Sequence, residues 1–95
     1  MKKVIVTAER VTGNCSANII SGDKMVFEGA NLNLKETTKV CPFALATIYP
    51  VIFAARLGYD IAQTGLKERI VQCIDPGPPL SEGATVLWKV LAETK

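Results

Sequence analysis

The chain contains no histidine. That removes the side chain that most readily serves as a general base near neutral pH, and the usual nitrogen ligand for zinc or copper. Excess charge of one sign is also missing: 11 Lys and Arg against 9 Asp and Glu leave a net charge of +2. The densest basic run is Lys2–Lys3, and aromatics, only 6% of the residues, are not interleaved with basic ones. Neither a nucleic acid nor an acidic membrane is therefore an expected partner. Long hydrophobic runs are absent too. The longest, Phe43 to Ala55, is interrupted by Pro50 and falls short of the roughly 20 residues that cross a bilayer. The chain opens directly into the alternating run Lys3-Val4-Ile5-Val6-Thr7, without a signal-like segment. These readings predict a cytoplasmic location, where thiols stay reduced.

What is present describes one domain, residues 1–95. An apolar fraction of 48% suffices for one modest core in a chain of this length. Lys3 to Val11 alternates, with Val4, Val6 and Ala8 on one face, and Thr12-Gly13-Asn14 ends it. Lys24 to Glu28 is a second short strand after the turn Ser21-Gly22-Asp23. Asn31 to Lys39 is polar and aperiodic, hence a loop with a short extended piece at Leu32 and Leu34. Cys41-Pro42 marks a helix start, since proline suits the first helical position. Phe43 to Leu57 follows and Gly58 closes it. This helix is apolar nearly all round, which predicts deep burial or a subunit interface, and Pro50 predicts a kink or a break into two shorter helices. Tyr59 to Lys67 is looser, with room for one helical turn. Glu68 to Cys73 reads as a strand, Ile74 to Gly83 as a stiff loop, and Ala84 to Ala92 as the last strand, with Val86, Trp88 and Val90 on one face. The expectation is an α+β fold: a small antiparallel sheet of about four strands, ordered ββαββ along the chain, packed on one long, apolar, Pro-kinked helix.

Three cysteines then concentrate the chemistry on sulfur. Their odd number argues against a closed disulfide framework within one chain. Cys41 is the strongest single candidate, because a helix N-terminus presents unsatisfied N–H groups and the positive end of a dipole, both of which favour a thiolate. Cys73 ends a strand, two residues before Asp75-Pro76. Cys15 sits in the turn after Gly13. Taken singly, each also reads as a small apolar residue at the edge of an element. Taken together, with each at such an edge, the fold can gather three thiolates and leave one metal position for water, substrate or Asp75. The spacing is not that of a C-x-x-C knuckle. Arg56 and Arg69 suit a carboxylate or phosphate clamp, but more simply end their elements in solvent. Trp88 and Tyr49 read as core aromatics, each with one polar tip.

The blocks Gly13-x-Cys15, Gly22-Asp23 before a strand, Cys41-Pro42-x-Ala44 with Tyr49-Pro50 downstream, and Cys73-x-Asp75-Pro76 cover nearly the whole chain. In that combination the sequence resembles a family of small conserved hypothetical proteins found largely in anaerobic bacteria and archaea. The resemblance implies that Cys15, Cys41 and Cys73 occupy the family's characteristic cysteine positions, and it brings no activity with it. Ser16 and Ile74 stand where proline is frequent in that family. The anaerobic setting it implies suits oxygen-sensitive thiolates and iron–sulfur chemistry.

The function expected is a thiol-rich protein holding a metal or iron–sulfur cluster through Cys15, Cys41 and Cys73, with Asp75 as a candidate fourth ligand. Iron–sulfur or zinc is the cofactor, and a larger redox enzyme the partner it would serve as an accessory or as an electron or sulfur relay. Two alternatives stand beside it. One is a metal-free homo-oligomeric module associating through the apolar helix 43–57. The other is a thiol enzyme with Cys41 as its catalytic nucleophile, which lacks an obvious base.

Overall fold

A computed structural model describes residues 3–93 of the chain; Lys2 of the basic pair lies outside them. Strands β1 (Lys3–Gly13), β2 (Lys24–Glu28) and β3 (Asn31–Leu32) precede helix α1 (Pro42–Arg56). A short 3₁₀ helix, Ile61–Thr64, follows, then β4 (Ile70–Gln72) and β5 (Ala84–Glu93). One antiparallel sheet has the order β3-β2-β1-β5-β4.

The expectation of four strands on one long helix is overturned: the sheet has five strands, and the helix is a single 15-residue element. The additional strand, β3, returns from β2 through Gly29-Ala30 and pairs Leu32 with Phe27 and Asn31 with Glu28. Two residues carry no alternation for periodicity to register, so only the pairing reveals the strand. The helix runs through Pro50 as one element.

Nor is that helix buried on every side. Ala44, Leu45, Ile48, Ile52 and Ala55 face the sheet, whereas Phe43, Tyr49, Phe53 and Leu57 are exposed. The sheet supplies Val4, Val6 and Ala8 from β1, Met25 from β2, and Val86, Trp88 and Val90 from β5, all at most 2% exposed. These side chains and the inner helix face form the core.

Two local features aim the loops that matter below. In β1 the register against β5 slips between Ala8 and Arg10, leaving Glu9 as an extra residue. Such a bulge changes which residues face the core, so Val11 rather than Arg10 joins the side of Val4, Val6 and Ala8 and packs against it. At the end of β1, Gly13 has φ +106°. A Cβ there would strike the carbonyl oxygen of Gly83 and stand 2.9 Å from Pro78 Cδ. Only glycine lets the end of β1 lie this close to the loop that precedes β5.

Candidate functional site

The three cysteines come from separate segments and line one cavity of about 160 Å³. That is more than ten times the space one water needs, ~10–15 Å³. Cys15 comes from the loop after β1, Cys41 from the N-terminus of α1, and Cys73 from the residue after β4. The wall is mainly apolar, with Ala17, Ile19, Ala44, Val86 and Trp88 among its residues; Phe43 and Ile74 are exposed where it meets solvent. Neither lysine nor arginine lines it.

Cys73 is the most firmly placed. Its N–H donates to Val86 O at 3.0 Å, continuing the β4–β5 ladder by one residue. The complementary bond goes to sulfur: Val86 N–H donates to Cys73 Sγ at 3.2 Å. The thiol thus occupies the acceptor place that a strand carbonyl normally fills. Sγ also stands 3.7 Å from the carbonyl oxygens of Asp75 and Ala84, either of which accepts a thiol proton.

Cys41 is the N-cap residue of α1, extended at φ −114° and ψ 100°, with Pro42 following. Its carbonyl accepts from Leu45 N–H at 3.1 Å, while its side chain makes no capping hydrogen bond. The buried thiol is therefore left to face the cavity beside Phe43 and Ala44, at the positive end of the helix. Cys15 is half-buried; its carbonyl accepts from Asn18 N–H at 2.9 Å, closing the turn that brings Ser16 and Ala17 to the wall.

Asp75 also lines the cavity, but its carboxylate is engaged by its own loop. The Ser81 hydroxyl and the Gly77 N–H, the latter at 2.8 Å, donate to Oδ1. These two bonds, aided by the Ala84 N–H and opposed by burial, hold its carboxyl below the usual carboxylate range. The Asp75 carbonyl accepts from Thr85 Oγ1 at 3.1 Å. Asp75 thus clasps the Pro76–Gly83 loop against the start of β5, and this fixes the backbone next to Cys73.

Among the described residues, no three His, Cys, Asp or Glu side chains form a group that could hold a metal ion as placed. The arginines stand elsewhere. Arg69 pairs with Asp60 at 3.1 Å, and the Arg56 guanidinium lies 5.2 Å from the centre of the Phe53 ring. A nucleophilic Cys41 would find no basic side chain in the cavity wall.

Sequence reasoning placed Trp88 in the core without connecting it to the thiols. Trp88 is among the residues around their cavity, and among the described residues its Nε1 is the one buried side-chain nitrogen or oxygen with no partner. The available signal was its inward position on β5, where an indole N–H needs an acceptor. Among the described residues, no helix is long and apolar enough to cross a membrane. No family model, curated protein or solved structure matches the chain.

Proposed function

We propose that this chain is a small thiolate-ligand protein whose cavity takes a metal centre, foremost an iron–sulfur cluster, and that it serves a larger redox enzyme as an accessory or a relay of electrons or sulfur. One observation carries the reading: cysteines from three distant segments line a single cavity. Thiolates are soft ligands that suit iron–sulfur and zinc centres. A cavity without lysine or arginine leaves their charge to be balanced by the occupant. Three cysteines leave one metal position for an external ligand.

The test is purification without oxygen, followed by reconstitution with ferrous iron and sulfide, or with zinc alone. Iron and labile sulfide bound in near-stoichiometric amounts, and lost in Cys41→Ser, are expected. Less than about a third of a metal equivalent per chain under both conditions, with Cys41→Ser behaving as wild type, overturns the reading.

A second reading rests on the outer face of α1. Phe43 is 74% exposed, Phe53 55% and Tyr49 53%. A second copy of the chain, docked there, would cover them. Sedimentation tests this: a dimer that Phe53→Glu dissociates supports it, and a strict monomer removes it.

A further inference from the structure

We propose that the cavity of the metal-free chain binds a small, neutral, apolar molecule of about the size of one benzene ring, independently of any metal. Size comes first. The cavity measures about 160 Å³, and an apolar protein cavity of ~150 Å³ holds one benzene. Its lining comes second. Ile19, Ala44 and Val86 in the wall are at most 2% exposed, so the space is bounded by side chains already fixed in the core. Phe43 and Trp88 border it as well, and aromatic rings pair favourably with a ring-shaped ligand.

The polar groups around the cavity are largely engaged with the chain itself. Cys73 Sγ accepts from Val86 N–H, and Asp75 Oδ1 accepts from Gly77 N–H and the Ser81 hydroxyl. What remains is Ser16, which is exposed, and the thiols of Cys15 and Cys41. A thiol is a weak donor and a weak acceptor. Water in the cavity therefore finds few good partners, and replacing such water by an apolar group is favourable. Charge narrows the class further. With neither lysine nor arginine in the wall, an anion would meet only the like charge of Asp75. A cation would have to draw that carboxylate away from Ser81 and Gly77. Either ion would lose hydration without a ready partner. The mouth supplies the way in: Phe43 is 74% exposed and Ile74 63% where the cavity meets solvent, so a ligand enters without opening the core and covers apolar surface as it does so.

The experiment uses the full chain under reductant and chelator, titrated with benzene and, as charged probes carrying the same ring, with benzoate and benzylamine. Benzene is expected to raise Tm saturably, by roughly 6–12 °C at ten times its Kd. It should also move the amide NMR signals of Ala17, Ile19, Ala44 and Val86. Benzoate and benzylamine are expected to bind about 10-fold more weakly or worse. Ala17→Leu, which enlarges a half-buried wall residue, should fold and lose the benzene response. If that variant does not fold, the amide shifts of wild type decide alone. Benzene without a saturable effect up to its solubility, or shifts confined to Tyr49 and Phe53 on the outer face of α1, overturns the proposal. Equal affinity for either charged probe overturns the neutral class. Iron and sulfide uptake is measured separately, so failure here leaves the metal reading standing.

Discussion

Replacing Cys73 by alanine removes the acceptor that Val86 N–H uses at 3.2 Å. Val86 is 2% exposed, so water has little access to take over. Leaving a buried N–H unsatisfied costs about 1–3 kcal/mol, whereas losing the sulfur's contacts at a half-buried position costs only roughly 0.5 kcal/mol. The hydrogen bond should therefore dominate. Serine separates the two effects, because it too loses the sulfur but keeps an acceptor oxygen. Cys73→Ala is expected to lower Tm by roughly 4–20 °C for a domain of this size, and Cys73→Ser by less than half as much. Urea unfolding under reductant and chelator, followed by the fluorescence of Trp88, measures this without any contribution from a bound metal. Amide hydrogen exchange localises it, since Val86 should lose protection in the alanine variant and keep it in the serine variant. If the two variants unfold alike and Val86 exchanges as in wild type, the thiol is not a member of the sheet ladder.

Asp75 makes the clasp sensitive to pH. The Ser81 and Gly77 bonds depress its carboxyl in the folded chain, so its contribution is complete above the ordinary carboxylate value of ~3.9 and fades as pH falls below it through the folded value. Asp75→Asn should therefore flatten the acid side of a stability profile below about pH 4, and an unchanged profile would show that the clasp adds nothing. Gly13→Ala places a Cβ against Gly83 O at a backbone φ of +106°. It is expected to cost ~1–3 kcal/mol through strain and to reduce iron uptake by moving the Cys15 loop from the cavity. Wild-type uptake in a folded Gly13→Ala would show that this approach does not position Cys15.

Much of the sheet was legible because its strands obey a period of two. β2 occupies Lys24–Glu28, where alternation placed it, and Val86, Trp88 and Val90 are buried together on β5. β1 runs to Gly13, two residues past the end at Val11 that the sequence implied, and after the bulge at Glu9 it is Val11 rather than Arg10 that packs on the core side. The helix was legible as a helix but not as an oriented one. A segment apolar on all sides has no moment to say which side is covered, and here the aromatics Phe43, Tyr49 and Phe53 point outward while Ala44, Leu45, Ile48 and Ile52 point inward. The thiols could be named as candidates from their positions at element ends. The Val86–Cys73 and Ser81–Asp75 bonds could not be foreseen, since each joins residues whose neighbourhood exists only after the chain folds.

The placement of the thiols at element ends also bears on how the cavity would close on an occupant. Cys73 is tied on both its N–H and its sulfur to Val86, so it cannot move far without breaking the sheet. Cys41 is the cap of a helix whose inner face is packed into the core. Cys15 alone belongs to an irregular segment, held by the Cys15–Asn18 turn and by the approach of Gly13 to Gly83. Shifting a loop costs less than shifting a strand or a packed helix, because fewer buried contacts are lost. Closure around a metal centre would therefore come mostly from the Cys15 side, against a fixed wall made by Cys41, Cys73 and Trp88. Under the proposed reading, the rigid thiols would define where a centre sits, and the loop thiol would supply the movement needed to bring three ligands to bonding distance.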